Sequence, residues 1–181
     1  MIDCLNNPVI HKDSYGTDAV VVLDEDFPGH IGVLVQDTEG NWWHFYWGAD
    51  ASKSWGINYI ICAFAITVKP TSWCDEFLGD ASSLEEINNS GQYSGTYERM
   101  VYLEGDFSEC LDFFKNPIGP YHLYANNCSQ VSLRTLSFAD TSYSEILWEA
   151  SLEFLPETAM SRIEWRLRMG TGLKEALADC G

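Results

Sequence analysis

The sequence predicts an α+β domain in which helices pack against one central antiparallel sheet. Three observations predict this class: short runs rich in β-branched and aromatic residues fill most of the first half, glycine and proline turns separate them, and helix-forming segments dominate after residue 106. A chain of 181 residues is the length of one domain. We therefore take residues 1–181 as a single domain with a helical C-terminal extension from about residue 140.

Strands are predicted over 18–24, 30–37, 41–48, 57–69 and 96–103. The turn between the second and third strands decides which side chains share a face. A three-residue turn, Thr38-Glu39-Gly40, pairs Leu34 with His44 and puts His30 and His44 on one face, roughly 13 Å apart. A two-residue turn at Glu39-Gly40 would put His44 on the opposite face.

Four helices are predicted. The first covers 84–89 with Ser82 or Ser83 as its cap, the second covers 109–115, and the third begins near Asn127. The fourth, over 157–169, is amphipathic because its apolar residues recur at the helical period.

Composition and charge exclude several functions. Apolar residues make up 46% of the chain and aromatic residues 14%, which excludes a disordered acidic tail. The net charge of −17 repels phosphate backbones and anionic membrane surfaces, so we predict no nucleic-acid partner. The longest apolar stretch, Ile57 to Val68, is shorter than the ~20 residues that cross a bilayer, so we predict no stable membrane insertion.

The six cysteines and the N-terminus bear on compartment and cofactors. No C-x-x-C pair or Cys/His cluster has metal-ligand spacing, and we predict neither a metal nor a cofactor. The opening MIDCLNNPVIHKDS has no charged segment followed by an apolar run. We therefore expect no secretory signal, a cytoplasmic protein as synthesised, and mostly reduced thiols.

The pair that suggests chemistry is Cys128 and His30. Cys128 follows two asparagines at a predicted helix start, where the helix N-terminus is expected to lower the pKa of the thiol. His30 begins a strand after a Pro-Gly turn, so its ring can project from the sheet as a proton carrier for a thiolate nucleophile.

Two stretches around this pair, GHIGVLVQDTEGNWWHFYW and YHLYANNCSQVSL, resemble the circularly permuted NlpC-like papain-fold superfamily of cysteine hydrolases. Lecithin:retinol acyltransferase-like proteins share this chain order, and the stretches look like domains at the C-termini of bacterial RHS-repeat toxins. The resemblance covers roughly residues 18–50 and 107–138. It implies a permuted papain-like fold with Cys128 as nucleophile, His30 as general base and the Cys128 N–H in an oxyanion hole.

Other site residues follow from the same resemblance. Asn127 or Asn126 would fix the turn before the nucleophile, or serve as a plain helix cap. Relatives often carry a polar residue, frequently His, on the strand after the catalytic His, which makes His44 a candidate third member. His44 lies fourteen positions after His30, somewhat further than in those relatives. The alternatives are Tyr46, Gln36 or a backbone carbonyl, and Tyr15 is a candidate oxyanion donor.

The resemblance implies a bacterial cysteine peptidase or amidase that works through an acyl-enzyme. Its substrate would be a peptide or amide, such as one in a peptidoglycan stem peptide, and the chain would act as an exported effector or toxin domain with an immunity protein as partner. The alternatives are an acyltransferase or thioesterase of the same fold, or a non-catalytic acidic module of the immunity or adaptor type. We predict that the acidic run at residues 24–26 is a solvated loop.

Overall fold

The computed structural model describes residues 17–26, 29–49, 70–117, 119–122, 125–139 and 141–178, with side chains as far as residue 170. The strand predicted over 57–69 and the candidate oxyanion donor Tyr15 lie outside the described residues.

The described strands form one five-stranded antiparallel sheet in the order β4-β3-β2-β1-β5. The strands are β1 (Ala19–Asp24), β2 (His30–Gln36), β3 (Trp42–Ala49), β4 (Pro70–Phe77) and β5 (Arg99–Leu103). The α+β class with a central antiparallel sheet is thereby confirmed. Strand β4 was not predicted, because its sequence PTSWCDEF is mostly polar and only its last residue is buried.

Five helices complete the described part of the chain: α1 (Leu84–Asn89), α2 (Cys110–Lys115), α3 (Cys128–Leu136), α4 (Ser144–Ala150) and α5 (Pro156–Ala178). Of the two predicted caps for α1, Ser83 is the N-cap, and its side chain accepts a hydrogen bond from the Glu86 N–H. The predicted amphipathic helix is longer than expected and begins with Pro156 in its first turn, where proline lacks only an N–H that the helix would not use.

The turn between β2 and β3 is the three-residue alternative. Gly40 has a φ of 90°, and the Asp37 carboxylate accepts hydrogen bonds from the N–H groups of Glu39 and Asn41. Leu34 consequently pairs with His44, as this alternative predicts. The side chains of His30 and His44 therefore lie on the same face of the sheet.

The two faces of the sheet bury different kinds of side chain. One face, which we call the helix face, carries an apolar core formed with residues of α2 to α5. The other, which we call the tyrosine face, is covered by residues of α1 and of the segment 90–97, including Tyr93 and Tyr97. Residues of one strand alternate between the two faces, so Val21 belongs to the helix face and Val22 to the tyrosine face.

Within the described ranges, no helix has the length and apolar character needed to cross a bilayer.

Candidate active site

The turn before Cys128 is held by a complete capping box. The Asn127 side chain accepts hydrogen bonds from the Gln130 N–H at 3.0 Å and from the Ser129 hydroxyl at 2.8 Å. The Gln130 side chain in turn accepts from the Asn127 N–H at 3.3 Å. The Asn127 amide also donates to the Phe154 carbonyl at 2.8 Å. Asn127 therefore caps α3 and ties its first residue, Cys128, to the segment before α5.

The Cys128 thiol lies at a place where two strands separate. Pairing between β2 and β3 ends at Val33 and Phe45, and continuing the register would place Ile31 opposite Trp47. Asp37 donates its N–H to the Asn41 carbonyl, so by alternation the Ile31 N–H points towards β3. The Ile31 N–H lies near the Cys128 sulfur instead and favours its thiolate, as do the N–H groups of Ser129 and of Cys128 itself.

This geometry brings Cys128 to the strand that carries His30, because Ile31 is the next residue. The indole Nε1 of Trp47 donates to the Asn126 carbonyl at 3.1 Å, which ties β3 to the segment before α3. The start of α3 therefore contacts both β2 and β3, and Cys128 is only 3% exposed there.

The expectation of a lowered thiol pKa is wrong for this structure. Burial raises the pKa of the Cys128 thiol to about 11, and the charge of Asp24 adds to the increase. The three backbone N–H groups favour the thiolate but do not offset the loss of solvation. The Cys128 thiol is therefore neutral in this structure.

The His30 ring packs against two tyrosine rings, which also contact each other. Its centroid is 4.5 Å from that of Tyr46 and 5.2 Å from that of Tyr93, and both pairs are stacked. Burial, followed by the nearby His44, lowers the pKa of His30 to about 3, so the imidazole is neutral. Its Nε2 is buried and has no hydrogen-bond partner. Cys128 thus lies beside the end of β2 that carries His30, but no hydrogen bond joins its sulfur to Nε2 of His30.

Both ring nitrogens of His44 are hydrogen-bonded to residues other than His30. Nδ1 is 3.1 Å from Oε1 of Gln92, and Nε2 is 3.1 Å from the hydroxyl of Tyr97. Because the Gln92 amide nitrogen donates to the Glu76 carbonyl, its Oε1 must accept from His44 Nδ1–H. Nε2 then accepts from Tyr97. Burial lowers the pKa of His44 to about 4, so the structure places a neutral His44 near His30 but not in hydrogen-bond contact with it.

The alternatives to His44 differ in position. Tyr46 stacks on His30 and on Trp73, and burial followed by the charge of Cys128 raises the pKa of its phenol. Tyr46 therefore lies close to both candidate catalytic groups. Gln36 lies at the other end of β2 and donates to the Gly40 carbonyl in the turn. The structure does not bring Gln36 to the site.

Sequence reasoning missed Asp24. It is not in a solvated loop but is the last residue of β1, 5% exposed and paired directly with His30. Its carboxylate accepts hydrogen bonds from the Tyr93 hydroxyl at 2.6 Å and from the Asp26 N–H at 2.8 Å. The five residues between β1 and β2 are a sequence signal that could have placed Asp24 opposite His30. No sequence pattern indicates that Tyr93 reaches it.

In the part of the chain that the structure describes, no group of three or more His, Cys, Asp or Glu residues could hold a metal ion. Comparison with known proteins gives no match to this chain among family models, curated proteins or solved structures.

Proposed function

We propose that this protein is a thiol hydrolase of permuted papain-like fold, with Cys128 as nucleophile and His30 as general base. One observation supports the proposal above the others. The N–H of the residue that follows His30 lies near the thiol and favours its thiolate, and the Nε2 of His30 is buried without a partner. A buried unpaired ring nitrogen costs free energy, and a catalytic role is one reason for a fold to keep such a group.

The chemistry uses the proton of the thiol. His30 takes that proton as the sulfur attacks a substrate carbonyl, and the carbon–sulfur bond forms while the bond to the leaving group breaks. The imidazolium then returns the proton to the leaving amine or alcohol. Water, deprotonated by His30, releases the acyl group and restores the thiol. Another acceptor in place of water would make the same site an acyltransferase.

The proposal requires a conformational step, because Cys128 is only 3% exposed in this structure. Opening the site would also return the thiol towards its ordinary pKa, since burial is the largest cause of the increase. Catalysis in this scheme depends on solvent or substrate reaching the gap between β2 and β3.

The substrate class comes from the sequence resemblance. We propose a peptide or amide substrate, with peptidoglycan stem peptides as the first candidate, for an exported bacterial effector paired with an immunity protein. The acidic surface suits basic partners and disfavours nucleic acid.

A non-catalytic acidic binding module is the second candidate. The observation that favours it is the raised pKa of a fully enclosed thiol, which is typical of structural cysteines. The two candidates differ in whether Cys128 forms an acyl-enzyme.

The test is acylation by p-nitrophenyl acetate, followed by intact-protein and peptide mass spectrometry. We expect an acetyl group on Cys128, release of nitrophenol beyond one equivalent, and loss of both in Cys128→Ala. Cys74→Ser is the matched control, because Cys74 is a half-buried cysteine on β4 whose loss should leave acylation unchanged. Equal labelling of the wild type and Cys128→Ala would overturn the hydrolase.

Incubation with purified muropeptides tests the substrate class separately. We expect cleavage of a stem-peptide amide bond by the wild type and none by Cys128→Ala, read from product masses. If the ester acylates Cys128 but muropeptides are not cleaved, the hydrolase proposal stands and peptidoglycan is rejected as its substrate.

A further inference from the structure

We propose that Asp24 is the electrostatic partner of His30, placed to stabilise the imidazolium that forms when Cys128 gives up its proton. This positioning role rests on the proposed function. The first argument is register: β1 and β2 are antiparallel, and Asp24 pairs directly with His30. Directly paired residues point to the same face, with Cβ atoms about 5 Å apart.

The second argument is an unbalanced charge. Asp24 is 5% exposed, and within the described ranges no lysine or arginine forms an ion pair with it. The Tyr93 hydroxyl and the Asp26 N–H, which donate to its carboxylate, are both neutral groups. Buried carboxylates are usually paired with a cation. Protonation of His30 would supply that cation beside Asp24.

The third argument is the connection through Tyr93. This ring stacks on His30 and its hydroxyl donates to Asp24, so one side chain fixes both groups. The chain then passes close to the carboxylate, since a Cβ on Gly95 would lie 2.5 Å from Asp24 Oδ2. Only glycine allows this approach without displacing the carboxylate.

The other titratable groups beside Asp24 and His30 are neutral in the resting structure. Burial lowers the pKa of His44 and raises the pKa of the Cys128 thiol and of the phenols of Tyr46, Tyr93 and Tyr97. Asp24 contributes to the increase for the thiol and for each of these three phenols. Its charge therefore acts on the thiol and on the three phenols that surround it.

The first experiment needs no catalysis. The rate of Cys128 alkylation by iodoacetamide is followed by mass spectrometry from pH 6 to pH 11 in the wild type, Asp24→Asn, Tyr93→Phe and Asp26→Asn. We expect Asp24→Asn to lower the midpoint of the thiol titration by about one pH unit, because a facing negative charge is removed. Tyr93→Phe keeps the charge and Asp26→Asn neutralises an exposed neighbour, so both should stay near the wild type.

Two outcomes of this titration would overturn the inference. One is an unchanged midpoint in Asp24→Asn. The other is an equal shift in Tyr93→Phe, which would mean that the lost hydrogen bond, and not the charge, matters.

The second experiment tests whether Asp24 acts through His30. Rates of acylation by p-nitrophenyl acetate are measured in a double-mutant cycle of Asp24→Asn and His30→Gln. We expect Asp24→Asn to slow acylation about tenfold when His30 is present and to have little effect in His30→Gln. An equal effect in both backgrounds would overturn the partnership. If the wild type is not acylated at all, the hydrolase fails and the role of Asp24 in catalysis fails with it, while the thiol titration still shows whether the charge of Asp24 acts on Cys128.

Discussion

The two faces belong to the same five-stranded sheet, yet only one of them buries a cluster of titratable side chains. On the helix face, Val21, Val33 and Phe45 are fully buried against apolar residues such as Leu133. On the tyrosine face, the same strands bury Asp24 and His44 under phenol rings. One residue of displacement along a strand therefore separates a packed core from a polar, titratable cluster.

The difference shows that the two faces contribute to the free energy of unfolding in different ways. The helix face is stabilised by removal of apolar surface from water, which changes little with pH. The tyrosine face buries groups that can ionise, so its stability depends on their remaining in one protonation state. Cys128 lies where the two faces meet, because α3 packs on the helix face while its first residue reaches the gap beside His30.

The largest expected effect is acid destabilisation of the tyrosine face. The folded pKa values of His30 and His44, about 3 and about 4, lie below the unfolded value of 6.5. Because the unfolded chain binds protons that the folded one excludes, stability is complete above pH 6.5 and is lost as the pH falls towards 4. At pH 5 we expect a loss of roughly 4 kcal/mol, about 2 from each histidine. Urea denaturation at pH 7.5, 6 and 5 measures it.

His44→Gln is the matched test of this assignment. Glutamine can donate and accept, as neutral His44 does with Gln92 and Tyr97. We expect its stability to fall only about half as much between pH 7.5 and pH 5, whatever its value at pH 7.5. A slope equal to that of the wild type would show that His44 does not stay neutral when buried.

The next largest effect on stability is expected for a substitution in the core of the helix face. Leu133 lies on α3 and is fully buried in the apolar core. We expect Leu133→Ala to cost about 3 kcal/mol at pH 7.5 and to leave the pH dependence unchanged. Leu152→Ala is the control, because Leu152 is 62% exposed and its loss should change stability by less than about 0.5 kcal/mol. A similar cost at both positions would contradict the placement of the core.

A smaller effect concerns the junction between the faces. Asn127→Ala removes the cap of α3 together with the bond to Phe154, and Asn127 is 1% exposed. We expect a loss of about 2 kcal/mol, the upper end for a cap, measured by urea denaturation. Ser83→Ala removes the cap of α1, which is exposed and weaker at 3.3 Å, and should cost about 0.5 kcal/mol. Equal losses of stability would mean that burial does not increase the contribution of the Asn127 cap.

The sequence predicts the helix face better than the tyrosine face. Runs rich in β-branched residues place β1 and β2, and the pair of asparagines places the start of α3, because these signals are local. The three-residue turn was one of two alternatives that local patterns allowed. The covering of His30 and Asp24 by Tyr93 depends on an irregular segment distant along the chain, and no periodicity encodes that contact. The prediction of a lowered pKa for the Cys128 thiol failed for the same reason, because burial is a property of the whole fold.

The smallest effect tests how the helix face is joined at its edge. Arg99 of β5 pairs with Glu164 of α5 through two hydrogen bonds, at 3.0 and 2.6 Å, and both side chains are about one-quarter exposed. We expect Arg99→Met to cost about 1 kcal/mol, and less at high salt, because a bidentate, partly buried pair exceeds the usual surface value. Arg162→Met breaks a more exposed pair with Glu153 and should cost less than about 0.5 kcal/mol. Thermal denaturation at low and high salt measures both, and an equal, salt-independent cost would show that packing of the arginine stems, rather than charge, joins α5 to the sheet.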